Sequence, residues 1–272
     1  MEAKAFVLMP YYRTRSGLFE KSLTSFLEQD YQNKKLVIYV DNEISCEKEL
    51  IGILEGLNKE QKKQITLIGG KGHIGVAKAR NELLQYVKGH ASDDDYIFLL
   101  DSDDEYTDNE VISRIIHSMT KHKADVAVLN FKYGFFDGKT EDAGLKKTRE
   151  ETSAIAQKYS EPHFFEPSKD LSTLTSLGWT RVYKGKIFKE LPIVKNTGKY
   201  EDFVYMAPFC FDNIKVVGVT IPSIKFNKYS SSTTSMRTEK DCEDVVDRLN
   251  ELKTSYTKMC AEMEKKLPIY KK

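Results

Sequence analysis

The chain has 272 residues, with 42 Lys and Arg against 41 Asp and Glu, a formal charge of +1. That balance excludes a protein whose main task is to hold a nucleic-acid backbone, and a 40% hydrophobic share with 14 Phe and 15 Tyr excludes a disordered chain. No stretch approaches the roughly 20 apolar residues that span a bilayer. The opening Met1-Glu2-Ala3-Lys4 leads straight into a short apolar run, without the longer apolar core of a secretory signal. Cys46, Cys210, Cys242 and Cys260 are scattered and form no CxxC pair, so free thiols in a reducing compartment are expected. The expectation is a folded, soluble, cytoplasmic protein, whose tail lysines read first as a solvated helix end and only second as a contribution to peripheral membrane contact.

The first hundred residues alternate short apolar runs with amphipathic stretches. Residues 5–9, 36–40, 65–68 and 96–100 read as buried parallel strands. Between them, Leu18, Phe19, Leu23, Phe26 and Leu27 share one helical face, as do Leu50, Ile51, Leu54 and Leu57, and then Val76, Ala79, Leu83 and Val87. The order β-α-β-α-β-α-β predicts an α/β fold, a Rossmann-like, mostly parallel sheet flanked by helices, with ligands beyond the carboxyl ends of the strands. A helix over residues 109–122 and a strand over 124–131 continue the pattern, and periodicity then fades over 137–176. Further on, the spacing predicts helices at 184–190 and 201–210, a strand at 215–219 and a loop at 230–235. Residues 241–266 read as a long amphipathic helix, with Val245, Leu249, Leu252, Tyr256, Met259 and Met263 at alternating three- and four-residue spacing. Packing on the parent domain is the first reading of that seam, a homodimer through it the second. The domain expectation is one unit over 1–235, in two halves (1–110 and 111–235), followed by a helical extension over 236–272.

The sharpest chemical feature is Tyr96-Ile-Phe-Leu-Leu-Asp101-Ser102-Asp103-Asp104, an apolar strand that ends abruptly in acids. Two carboxylates one residue apart at a strand's carboxyl end suit a divalent ion that keeps open positions for phosphate oxygens. Asp93, Asp94 and Asp95, ahead of the strand, read only as a solvated turn. Two other strand ends face the same edge: Pro10, Tyr11 and Tyr12 after the first, and Asp41 after the second. An aromatic ring and a carboxylate there suit a base, by stacking and by hydrogen bonding. The segment from Gly72 and His73 through Gly75 to Lys78, Arg80 and Asn81 opens a helix, whose N-terminus and cations favour an anion.

Taken in order, these residues resemble the GT-A glycosyltransferases often called family 2. The likeness rests on the Val-Leu-Met-Pro10-Tyr-Tyr12 opening, Leu-Glu-Gln-Asp-Tyr31, Val40-Asp41, Gly75 through Arg80-Asn81, Leu100-Asp101-Ser102-Asp103-Asp104, Gly178-Trp179-Thr-Arg-Val-Tyr183 and Lys199-Tyr200-Glu201-Asp202, spanning about residues 5–235. The resemblance implies a GT-A fold and transfer of a sugar from a nucleotide diphosphate donor, first of all a UDP-sugar. It implies that Tyr12 and Asp41 hold the uracil, that Asp101 serves the ribose and metal region, and that Asp103 is the metal carboxylate of a DXD motif binding Mn²⁺ or Mg²⁺. Arg80 flanks the diphosphate, and Pro10, Gly75 and Ser102 complete the donor site. Asp202 matches the general base of inverting members, with Glu201, Lys228 and Trp179 as accessory candidates.

Departures from the family pattern are His73 where Asn is frequent, Asn42 where a second Asp is common, and Arg13-Thr14-Arg15 in the first loop. No Gln-x-x-Arg-Trp segment of the processive synthases is present, which implies addition of one sugar. The expected acceptor is a hydroxyl of a glycan, a lipid-linked glycan or another glycoconjugate; nucleic acid is not an expected partner. The competing readings are a sugar-nucleotide nucleotidyltransferase, which calls for a glycine-rich basic loop after the first strand, and a non-catalytic nucleotide-sugar binding module.

Overall fold

The computed structural model describes residues 2–136, 145–151, 163–164, 178–191, 205 and 214–229. Four strands, β1 (Ala5–Tyr11), β2 (Lys34–Val40), β3 (Ile65–Gly69) and β4 (Tyr96–Leu99), form the parallel half of one sheet in the order β3-β2-β1-β4. Nearly every residue of β1, β2 and β4 is buried, because helices cover both faces; this is why their sequences read as continuous apolar runs. β3, the edge strand, is half-exposed.

The chain runs outward from β1 to β2 through α1 (Ser16–Leu27), and on to β3 through α2 (Lys48–Glu55) and α3 (Lys59–Lys63). It then returns through α4 (Val76–His90) to β4, on the other side of β1. With right-handed crossovers the outward helices cover one face and α4 the other. Leu18, Phe19, Leu23 and Phe26 of α1 are buried, as are Ala77, Ala79, Leu83, Leu84 and Val87 of α4. The strand order therefore reverses between β1 and β4, which makes their carboxyl ends a switch point of the sheet. That opens a crevice at the carboxyl edge.

Beyond β4 come β5 (Glu105–Tyr106), α5 (Val111–His122), β6 (Val126–Phe136), β7 (Leu145–Glu151), β8 (His163–Phe164), β9 (Arg181–Lys184), α6 (Gly185–Phe188) and β10 (Lys215–Tyr229). The sheet continues β4-β9-β6-β10-β5, with β9 antiparallel to both neighbours and β10 parallel to β6. The helix expected at 184–190 is shorter, and a strand precedes it. Arg181-Val-Tyr-Lys184 carries too few residues to set a period, but its β-branched and aromatic centre fits between β4 and β6.

β10 is 15 residues long, where the sequence suggested five. Pro222 masked its continuation; the strand accommodates it at register shifts on either side of that residue, the bulge positions where a missing ladder donor is tolerated. The helix expected at 201–210 (Tyr205 apart), the loop at 230–235 and the helix at 241–266 lie outside the described residues. Among the described residues, no helix is long and apolar enough to cross a membrane.

Candidate active site at the carboxyl edge of the sheet

Asp101, Ser102, Asp103 and Asp104 fold as one turn at the end of β4, closed by the Asp104 N–H donating to the Asp101 carbonyl at 3.1 Å. The same carbonyl accepts from the Ser22 hydroxyl of α1 at 3.4 Å. Across the crevice, the Thr14 and Ser102 hydroxyls meet at 2.5 Å, which ties the loop after β1 to the loop after β4. On the far side, Asn227 of β10 donates its N–H to Asp104 Oδ1 at 2.9 Å and its side-chain amide to the Asp103 carbonyl at 2.6 Å. The Lys225–Glu105 pair at 2.6 Å fixes the adjacent rung of β10 and β5. Two segments far from it in sequence, residues 14–22 and 225–227, thus hold the acidic turn in one shape.

Its charge is poorly compensated. Asp101 Oδ1 pairs with Arg80 Nη2 at 3.0 Å. Burial, reinforced by the charge of Asp101, pushes Asp103 up to about 6. Asp104 is buried and raised well above the usual carboxylate range, by burial and then by the charges of Asp103 and Asp101. Among the described residues its Oδ2 finds no hydrogen-bond partner, nor does the neighbouring Asn227 Oδ1. Asp101 and Asp103 have the hard oxygen donors and excess negative charge that suit Mg²⁺ or Mn²⁺ sharing substrate phosphates. Among the described residues no cluster of three or more acidic, His or Cys ligands occurs, so a cation here would complete its shell from the substrate and water.

The second half of the edge is built around Asp41, only 2% exposed at the end of β2. Its Oδ1 accepts from Ile74 N at 2.5 Å and its Oδ2 from Gly75 N at 3.0 Å. Gly75, at φ 88°, is the N-cap residue of α4, in a backbone conformation that a Cβ disfavours. Asp41 thereby serves as the anion at the start of α4, a role the sequence reading left to a ligand. His73 Nδ1 lies 3.0 Å from Asp41 Oδ2, and its ring stacks on Tyr12 at 4.1 Å with 26° between planes. Tyr12 is 43% exposed, with the Arg13 guanidinium 5.4 Å from its centroid. Asn42, the departure from a second Asp, is buried and donates to Glu47 Oε1 at 2.6 Å.

The edge therefore brings together Pro10, Tyr12, Asp41, Gly75, Arg80, Asp101, Ser102 and Asp103. Asp202 and Glu201 lie outside the described residues, and of Trp179 and Lys228 only the backbone is described, Lys228 within β10 rather than in a loop. Tyr205, three residues beyond Asp202, is buried: its ring stacks on Phe188 at 6.2 Å and its carbonyl accepts from the Tyr183 hydroxyl at 2.6 Å. A Cβ on Gly178 would come within 2.5 Å of that ring, so the glycine is what lets Tyr205 pack. Thr14 and Asn227 were missed from sequence. Thr14 stood inside a loop noted only for its length, and nothing in the sequence near Asn227 points to residues 103 and 104.

The family model for Glycosyl transferase family 2 matches residues 6–175. The chain belongs to that family. Among curated relatives, the processive diacylglycerol beta-glycosyltransferase of Mycoplasma pneumoniae is 26% identical over 124 residues, 46% of this chain and 34% of that protein. Glycosyltransferase GlyA of Streptococcus pneumoniae is 24% identical over 285 residues, 100% of this chain and 37% of that one. The chain thus spans little more than a third of the length of these relatives. Among solved structures, S. aureus TarS 1-349 in complex with UDP-GlcNAc superposes with a TM-score of 0.62 at 17% identity, covering 92% of this chain and 66% of that one. The Pyrobaculum calidifontis mannosyltransferase PcManGT with GDP-Man and Mn²⁺ gives 0.58 at 11% identity, covering 96% and 69%. At such identities the structures establish the shared α/β fold with its mostly parallel sheet.

Proposed function

We propose that the chain moves one sugar from a nucleotide sugar, first of all a UDP-sugar, to an acceptor hydroxyl, with a divalent cation and with inversion at the anomeric carbon. The observation that carries this reading is the under-compensated pair Asp101 and Asp103 at the sheet's switch point, on the same edge as Tyr12 and Asp41. Neighbours of the same fold solved with UDP-GlcNAc, and with GDP-Man and Mn²⁺, support it.

Asp101 and Asp103 are assigned to hold the cation, whose charge when bound would offset the charge gathering on the departing diphosphate. Arg80 supplies a second positive group to the phosphate oxygens. Tyr12 and Asp41 take the base, while Pro10, Gly75 and Ser102 shape the floor beneath the nucleotide. In the transfer, the acceptor oxygen attacks the anomeric carbon and the bond from that carbon to the diphosphate oxygen breaks. The hydroxyl proton passes to the Asp202 carboxylate. Glu201, Lys228 and Trp179 are accessory assignments on the acceptor and diphosphate sides.

The acceptor class is a glycan, a lipid-linked glycan or another hydroxyl-bearing glycoconjugate, reached from the cytoplasm or at the inner membrane face. Single addition rests on the absence of a Gln-x-x-Arg-Trp segment. One relative is named as processive, so product length on a defined acceptor is the measurement that decides. Sedimentation distinguishes packing of residues 241–266 on their own domain, the first reading, from a homodimer through them, the second.

The test incubates the full chain with a panel of nucleotide sugars and acceptors, with Mn²⁺ and with EDTA. Metal-dependent release of nucleoside diphosphate, lost in Asp103→Ala, is expected. Pyrophosphate release from a nucleoside triphosphate and a sugar phosphate would instead identify a nucleotidyltransferase. Binding across the panel with no release would identify a binding module.

A further inference from the structure

Among the described residues, His73 is the side chain that touches both Tyr12 and Asp41. Its ring covers a face of Tyr12 at a centroid distance of 4.1 Å, and its Nδ1 lies 3.0 Å from Asp41 Oδ2 and 3.3 Å from the Asp41 carbonyl. A third ring between the two would need about 7 Å, twice a van der Waals contact of about 3.5 Å. No base therefore enters this stack while the imidazole is in it. Asp41 is largely engaged as well. A carboxylate offers about four acceptor positions, and Ile74 N, Gly75 N and His73 Nδ1 already take three.

Removing the imidazole frees a face of Tyr12 and an acceptor position on Asp41 at one stroke. These are the two features a uracil uses, its ring face and its imide N–H. The backbone permits the movement. The His73 side chain is half-exposed, and it sits just after Gly72, whose φ is 120° and around whose Cβ position lies open space.

We infer that His73 is a built-in competitor for the nucleobase: its imidazole fills the base position in the ligand-free protein and leaves when a uridine nucleotide binds. Residue 73 then sets donor affinity, through the stacking and the hydrogen bond that the base must replace. The inference rests on the nucleotide-sugar reading of the site. It departs from a simple Tyr12 platform in the sign of its prediction, since a residue that merely walls the base would weaken binding when removed.

The experiment is calorimetric titration of UDP, GDP and pyrophosphate, each with Mn²⁺, into the full-length wild type, His73→Ala and His73→Phe, with circular dichroism and thermal unfolding to check folding. A stacked pair contributes about 0.5–1.5 kcal/mol, so His73→Ala should bind UDP about 2- to 12-fold tighter than wild type. Its pyrophosphate affinity should stay within about twofold. His73→Phe keeps a ring against Tyr12 and should bind UDP no tighter than wild type. Equal or weaker UDP binding by His73→Ala overturns the inference. So does a matching gain for pyrophosphate, or for the Phe variant. Should His73→Ala not fold, His73→Ser carries the same prediction. If neither the wild type nor any folded variant binds a nucleoside diphosphate, the donor-site reading itself falls and takes His73 with it; UDP binding by the wild type leaves the donor reading standing whatever His73→Ala does.

Discussion

Asp103→Asn tests the electrostatics of the acidic turn directly. In the folded chain, burial and the charge of Asp101 push Asp103 from the usual 3.8 to about 6. Between these values the native state holds a proton that the unfolded chain has released, so stability falls as pH rises through the window. Above about 6 the whole cost is present, and a rise from 3.8 to about 6 corresponds to ~3 kcal/mol. Metal-free wild type should therefore be more stable at pH 5 than at pH 7.5. At pH 7.5, Asp103→Asn in EDTA should exceed wild type by up to ~3 kcal/mol, or roughly 5–10 °C in Tm. Asp104 is raised in the same sense, partly by Asp103, so the variant's pH slope is reduced and does not vanish. Mn²⁺ should then raise the Tm of wild type at pH 7.5, lose that effect below pH 6 as protons compete, and leave the variant unmoved. The assay is urea or thermal unfolding at pH 5, 6 and 7.5, with EDTA and with Mn²⁺. Parallel pH profiles for the two proteins in EDTA would refute the reasoning, whatever the effect on transfer.

Asp202→Asn should keep UDP affinity within about threefold and lower kcat about 10²- to 10⁴-fold, the range of general-base catalysis; unchanged turnover in steady-state assays would remove that assignment. Gly178→Ala would drive a methyl into the Tyr205 ring. We expect ~1–3 kcal/mol of destabilisation, measured by urea unfolding, and a fall in kcat with UDP binding retained, because Tyr205 anchors the segment just after Asp202. Gly75→Ala forces a side chain into φ 88° with open space around it, so its effect is backbone strain alone. About 1–2 kcal/mol is expected in unfolding, with weaker UDP binding in calorimetry. Asn227→Ala keeps the backbone N–H to Asp104 but removes the side-chain donor to the Asp103 carbonyl, and should cost ~1–3 kcal/mol, together with looser Mn²⁺ binding in titration.

The parallel half of the fold was legible because burial on both faces leaves an unmistakable trace. β1, β2 and β4 are apolar almost without interruption, and the helices between them carry clear 3.6-residue stripes. β9 and the far end of β10 were not legible. The first is too short to set a period, and the second carries a proline that reads as a break until the register shift is seen. In the site, residue types and their order gave Asp101, Asp103, Asp41 and Tyr12. What stayed hidden was how these residues are already engaged. That Asp41 binds the Ile74 and Gly75 N–H groups just ahead of α4, and that His73 lies on Tyr12, depend on the path of the loop from Gly70 to Gly75, whose glycines allow conformations that no apolar pattern encodes.

The charge balance is resolved by the same geometry. Residues 93–110 hold nine acids and no bases, while residues 59–88 hold seven bases and two acids. The net of +1 is thus a sum over segregated segments. The crossover from β3 through α4 to β4 brings part of the two together, with Arg80 on α4 facing Asp101 after β4. One Arg meets three acids there. It pairs with Asp101 and leaves Asp103 and Asp104 raised toward neutrality, so the turn keeps a local excess of acid in a chain that is nearly neutral as a whole. A fully matched cluster would have gained more stability and kept less affinity for a cation. Under the proposed metal-dependent transfer, that mismatch is where a divalent cation arriving with the diphosphate would bind.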